Sequence, residues 1–257
     1  MDKSPIVVAT TIAYGEVGSL RSELAKNFMT RVVEAGHQLV VIDGSPTAPV
    51  RNHFSGLCRD LGATIALEKG PYHTMGASRR QAFALAMNLA GSDNIFVWSE
   101  PEKVNLIPVL PEIVQPILNG KFHIIIPSRS AGTWDTYPLY QYKTEQLVNS
   151  AFQELFGRPG FDPMFGPMAF SWPTAKLLRD FDPALYGVAD GYVQQYIPPL
   201  ALNLGFRVGN VLVNCPYPAE QKELEDGPDR IVMLGKRFKQ GVELIHAFQA
   251  LKKQLGI

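Results

Sequence analysis

The sequence predicts an α/β fold: a mostly parallel, Rossmann-like central sheet with helices on both faces and an elaborated C-terminal half. Three observations predict it. Apolar runs such as "PIVVAT" (5–10), "QLVVID" (38–43) and "NIFVWS" (94–99) lack polar alternation, which marks strands covered on both sides. Segments of helical spacing lie between these runs, and strand–helix–strand alternation implies parallel strands joined by right-handed crossovers. No linker interrupts the 257 residues, so 1–257 reads as one domain.

In chain order, the strand at 5–10 is followed by helical spacing over 16–36, ending at Gly36. The strand at 38–43 closes on Gly44-Ser45-Pro46. A helix near 49–61 stops at Gly62, where glycine tolerates the left-handed geometry of a helix end. "ATIALE" (63–68) is the next strand, 75–90 a strong helix ended by Gly91, and 94–99 a strand. The second half is less regular. Residues 103–119 carry three prolines and predict a broken helix. "FHIIIPSR" (122–129) reads as a strand and 137–156 as a helix. "FDPMFGPMAFSW" (161–172) reads as a shaped loop entering a short strand. Residues 190–204 are helical, 206–213 strand-like, and 230–254 form a closing amphipathic helix.

Acids and bases balance at 24 each, which argues against the basic surface of a nucleic-acid binder. The two cysteines, Cys58 and Cys215, form neither a metal-ligand spacing nor a disulfide framework, which fits a reducing, cytoplasmic setting. The apolar stretch near the N-terminus is too short for a signal peptide, and no run approaches the ~20 residues of a transmembrane segment.

In open α/β sheets ligands bind beyond the carboxyl ends of the strands. Those ends carry Thr10-Thr11, Asp43-Gly44-Ser45, Glu68-Lys69-Gly70, Ser99-Glu100-Pro101-Glu102 and Ser128-Arg129. Each has a bland reading as an ordinary polar loop; their joint occurrence points to a site. Asp43 suits the N–H groups of a base or ribose hydroxyls, or equally an Asx-turn. Gly76 enters a helix, whose free N–H groups with Arg79 and Arg80 suit a phosphate; the alternative is a capped helix with a solvated arginine pair. His73 reads as a loop histidine. Glu100 and Glu102 sit two apart in an extended segment stiffened by Pro101, so both carboxylates face one way and suit Mg²⁺ or Mn²⁺. The alternative starts the next helix at Pro101-Glu102. Asp190 opens a helix as a cap or stands as a general base.

These stretches resemble a GT-A glycosyltransferase of the broad family-2-like group. "VVIDGSP" resembles the strand end whose Asp contacts the base. "GATIALEKGPYHTMGASRRQAFALA" resembles the strand, loop and helix beside the nucleotide, and "IFVWSEPEKVN" stands in the place of the Asp-x-Asp metal motif. "FGPMAFS" resembles the segment lining donor sugar and acceptor, and "YGVADGYVQQYIPPLALNLGFRVGNVLV" the helix with an acidic start. The order of motifs is similar to that of enzymes that glycosylate phosphoglycerate or glycerate. The likeness spans most of 5–222. It implies a nucleotide-binding half (1–99) holding the nucleotide with Thr10, Thr11, Asp43, Gly76, Arg79 and Arg80. It implies a metal and acceptor half (100–257) in which Glu100 and Glu102 hold a divalent cation, Mn²⁺ or Mg²⁺, and Asp190 is the catalytic base of an inverting enzyme. The implied partners are a nucleoside diphosphate sugar donor and a small or lipid-linked hydroxyl acceptor; a homo-oligomer is left open. The motif here is Glu-Pro-Glu rather than Asp-x-Asp, Gly191 follows the acid at 190, and "NCPYPAEQKE" has Tyr217 where relatives often have a metal-binding histidine. Two alternatives stand beside this implication: a sugar nucleotidyltransferase, and a degenerate, non-catalytic nucleotide-binding member.

Overall fold

The computed structural model describes residues 5–70, 74–227 and 230–257; His73 lies outside them. Seven strands form one sheet: β1 (Ile6–Ile12), β2 (Gln38–Asp43), β3 (Thr64–Leu67), β4 (Ile95–Trp98), β5 (Ile124–Arg129), β6 (Met168–Phe170) and β7 (Val208–Val213). Their spatial order is β3-β2-β1-β4-β6-β5-β7. Neighbours are parallel except β6, which runs antiparallel to both β4 and β5. The predicted α/β, Rossmann-like sheet is therefore present.

The unbroken apolar runs are explained by what covers them. Val7 and Ala9 face one layer, Ile6 and Val8 the other, and all four are buried. One layer holds α1 (Leu20–Glu34), α2 (Ala48–Leu61) and α4 (Leu110–Leu118), which insert Phe28, Phe54 and Ile113. The other holds α3 (Met75–Leu89), α6 (Leu139–Phe156), α7 (Trp172–Arg179), α8 (Val193–Asn203) and α10 (Arg230–Leu255), which insert Phe83, Phe152, Leu178, Tyr196 and Phe248. Truncating a fully buried phenylalanine such as Phe28 costs about 3–5 kcal/mol, so both layers are needed.

Most boundaries follow local chemistry. Helix α1 begins at Leu20 rather than 16 because the Ser19 side chain caps it, accepting from the Ser22 N–H. Helix α2 ends on Gly62 at φ 71°. The predicted broken helix resolves into a 3₁₀ turn, Val104–Val109, followed by α4 with proline in its first turn. Helix α7, the short helices α5 (Ala131–Trp134) and α9 (Ala219–Glu225), and the direction of β6 are not signalled by hydrophobic spacing.

The direction of β6 positions the site. Because β6 runs against β4, pairing Trp98 with Met168, the loop before β6 meets the loop after β4. That loop is held from below by a buried ion network. Arg129, at the end of β5, donates from Nε and Nη2 to Asp162 at 2.7 Å each and also pairs with Glu145. Asn149 on α6 donates to Asp162 Oδ1 and accepts from the Met164 N–H. The Arg129 guanidinium also lies 3.5 Å from the Trp134 ring centroid. Each side-chain nitrogen and oxygen of Arg129, Asp162, Glu145 and Asn149 has a partner, which is the condition for a buried charge to be tolerated.

Candidate functional site

Two cavities open at the carboxyl edge of the sheet. The first, about 590 Å³, lies over β1, β2 and β4 and is lined by Thr11, Tyr14, Gly44, Glu68, Ser78 and Trp98, among others. The second, about 260 Å³, lies under α10 and is lined by Lys103, Tyr137, Glu145, Phe165, Lys236 and Arg237, among others. Arg21, Met75, Arg79, Glu100 and Glu102 line both, so the two cavities meet at this group.

Glu100 follows β4 directly. Its Oε2 is buried and without a hydrogen-bond partner. The carboxylate presses against the backbone of Gly166, where a Cβ would come within 2.5 Å of Oε1; Gly166 also sits at φ 97°, so only glycine fits. Glu102 accepts a 3.0 Å hydrogen bond from the Tyr14 hydroxyl, and burial raises its pKa above the ordinary carboxylate range. The Lys103 ammonium lies 4.9 Å from the Phe165 ring centroid and, among the described residues, that ammonium has no hydrogen-bond or ion-pair partner. Although burial opposes its charge, nearby Tyr137 and Glu100 raise its pKa.

Arg79 projects from the first turns of α3 and is 6% exposed. Its Nη1 donates to Gly191 O (2.8 Å) and Gln194 Oε1 (2.7 Å), and the guanidinium lies 4.9 Å from the Trp98 centroid. Its Nε is buried and unpartnered. No carboxylate stands within ion-pair distance of it among the described residues, and burial lowers its pKa. It is thus a held cation with unused donors, aimed where the two cavities join.

Of the remaining predicted site residues, Thr11 lines the larger cavity, while Thr10, Asp43 and Gly76 bond within the fold. Thr10 is fully buried and donates to Ser99 O at 2.8 Å, tying β1 to the exit of β4; Thr11, not Thr10, lines the cleft. Asp43 forms the Asx-turn: its Oδ1 accepts from the Ser45 N–H at 2.8 Å. Its Oδ2 is buried without a partner, and Gly44 rather than Asp43 reaches the cavity. Gly76 does not offer its N–H to a ligand, because that N–H donates to Asp190 O at 3.2 Å. A side chain at 76 would strike Asp190 and Val193, so glycine is there for close approach.

Asp190, read from the sequence as a cap or a general base, is bonded within the fold. Arg80 grips both of its oxygens, with Nη2 to Oδ2 at 2.9 Å, and the Thr74 hydroxyl donates to it as well. Burial would raise its pKa, but the hydrogen bonds from Arg80 and Thr74 and the charges of Arg80 and Arg79 hold it below the ordinary range. A carboxylate so engaged is a poor proton acceptor. It clamps the N-terminus of α3 to the segment before α8, and neither Asp190 nor Arg80 lines the two cavities.

Sequence reasoning missed the second cavity's cations. Arg237 has a buried, unpartnered Nε and lies 3.7 Å from Glu145; Arg21 pairs with Glu225 at 3.1 Å. Glu225 also accepts from the Tyr140 and Tyr217 hydroxyls. Lys236 has no partner among the described residues, and burial with the neighbouring charges of Arg21 and Arg237 lowers its pKa. The signal available was the adjacency of Lys236-Arg237 on an amphipathic helix, which ordinarily marks a solvated face.

No protein-family model matches the chain, and no curated protein does. Solved structures do. A mycobacterial protein superposes over 98% of this chain and 75% of its own, with TM-score 0.58 and 17% identity. A mannosyltransferase from Pyrobaculum calidifontis, solved with GDP-mannose and Mn²⁺, covers 98% and 74%, with TM-score 0.48 and 12% identity. A cytidylyltransferase from Leptospira borgpetersenii covers 97% and 95%, with TM-score 0.45 and 12% identity. At these identities the likeness concerns the fold.

The expected divalent cation meets a poor donor set. Glu102 Oε1 is already spent on Tyr14, and Arg79 and Lys103 both act electrostatically on Glu100. Among the described residues no three His, Cys, Asp or Glu side chains converge as ligands. Tyr217, at the position where a histidine was sought, donates to Glu225 at 2.9 Å. Also among the described residues, no helix is long and apolar enough to cross a membrane.

Proposed function

We propose that this chain transfers a sugar from a nucleoside diphosphate sugar to a hydroxyl acceptor. The observation that supports it is the junction of two cavities at one cluster, Arg79, Glu100 and Glu102. A transferase must bring two substrates to one bond, and a donor in the larger cavity meets an acceptor in the smaller one at those side chains.

In this reading the acceptor oxygen bonds to the anomeric carbon as the bond from that carbon to the diphosphate oxygen breaks. The electron pair leaves on the diphosphate. The hydroxyl proton passes to Glu100, the carboxylate at the junction with an unspent oxygen, and from there to solvent. The Tyr14–Glu102 hydrogen bond holds the loops after β1 and β4 together, and Arg79 supplies positive charge toward the leaving group.

The test is release of nucleoside diphosphate from a panel of UDP-, GDP-, ADP- and CDP-sugars, with and without simple hydroxyl acceptors. One donor should turn over, and Glu100→Gln should slow it by about 10²–10⁴-fold while donor binding persists. A panel in which no nucleotide sugar binds or reacts would remove the reading.

A further inference from the structure

In the sugar-transfer reading the nucleoside lies in the larger cavity and its diphosphate reaches the junction, which Arg79 lines from both cavities and Lys103 from the smaller one. Lys103 follows Glu100-Pro101-Glu102 and lines the smaller cavity. Its ammonium lies against the face of Phe165, and Glu100 lies against Gly166, the next residue. The turn before β6 therefore carries an unpaired ammonium against Phe165 and a carboxylate against Gly166. Arg79 closes the other side, fixed by Gly191 O, Gln194 and the Trp98 ring, with its Nε unspent.

From this geometry we infer that Lys103 and Arg79 offset the charge of the departing diphosphate in place of a divalent cation. The inference rests on the sugar-transfer reading and deepens it. A dication seated at Glu100 and Glu102 would share its pocket with two side-chain cations, and like charges in a partly desolvated site repel strongly. A diphosphate bound there without metal instead finds an ammonium and a guanidinium, each able to make charge-assisted hydrogen bonds to its oxygens. Rigidity favours the same assignment: Arg79 is pinned by its neighbours, and Lys103 has an aromatic face to rest on, so little reorganisation is needed as charge develops.

The experiment is calorimetric titration of the full chain with UDP, GDP, ADP and CDP, once in EDTA and once in Mn²⁺. The expected result is one nucleotide that binds in EDTA with an affinity within about twofold of that in Mn²⁺. Lys103→Met, which keeps a chain over Phe165, should weaken that binding at least about tenfold, and Lys103→Arg should restore most of it. Glu100→Gln serves as the second variant: loss of an anion beside the diphosphate should leave binding in EDTA equal or tighter. Binding only in Mn²⁺, or abolished by Glu100→Gln, would overturn the inference and leave sugar transfer standing with a metal. Absence of nucleotide binding in both buffers would overturn the sugar-transfer reading itself.

Discussion

Two arginines mark the floor of this molecule, and they are held in opposite ways. Arg129, at the end of β5, is saturated: Asp162 and Glu145 take its donors and Trp134 covers its face. Arg79, on α3, is equally hidden, yet its contacts are a carbonyl, an amide and two aromatic rings. A buried cation with matched anions stabilises a shape. One with only neutral partners keeps its charge available for a ligand. The difference separates a structural region, beneath the loop before β6, from the candidate site, over α3 and β4.

Substitutions test that division. The largest effect is expected at Arg129. Arg129→Met leaves Asp162 buried without a counter-ion and Glu145 with Arg237 alone at 3.7 Å, and urea denaturation should show a loss of about 3–5 kcal/mol. Next is Gly166→Ala, which combines a left-handed backbone with a clash against Glu100. It should lose about 1–3 kcal/mol and displace the carboxylate, so turnover should fall more than stability alone predicts. Arg79→Met is the sharpest contrast with Arg129. Removing the Arg79 guanidinium orphans the Gly191 carbonyl and Gln194 Oε1 rather than a buried ion, so it should cost about 1–3 kcal/mol, less than Arg129→Met, while nucleotide binding measured by thermal shift falls at least about tenfold. Equal destabilisation by Arg79→Met and Arg129→Met would erase the division.

The smallest effect concerns Asp190 and is read through pH. Its folded pKa lies below its unfolded value, so the clamp to Arg80 and Thr74 stabilises near neutrality. That contribution is lost as pH falls through the folded value. Asp190→Asn should cost about 1 kcal/mol at neutral pH, discounted for its partial exposure, and its melting temperature should approach that of the unmodified chain in acid. Retention of donor turnover in this variant would agree with a clamp; its complete loss with unchanged stability would return Asp190 to the chemistry.

Much of the fold was legible in the chain because strands covered on both faces write themselves as unbroken apolar runs. Strand β2 has the boundaries read from "QLVVID", and α3 begins at the Met75 that opens the predicted helix. Short elements were not legible. Helix α9 is too brief to show a period, and the short strand read within 161–172 gave no sign that β6 runs antiparallel, which depends on partners elsewhere. At the candidate site, adjacency in sequence brought Glu100 and Glu102 to the same pair of cavities. It did not show that the polar atoms of Thr10, Arg80 and Asp190 bond to Ser99, to each other and to Thr74.

The sequence by itself determined that strands and helices alternate, that the strand ends are polar, and that two glutamates straddle a proline after β4. Those are local properties, set by side-chain chemistry and backbone geometry over a few residues. Only the tertiary structure decided which of the charges remain unspent. Hydrogen bonds saturate, and whether Asp190, Lys103 or Arg79 meets a partner depends on residues distant in the chain that the antiparallel β6 and the closing helix α10 carry to the sheet edge.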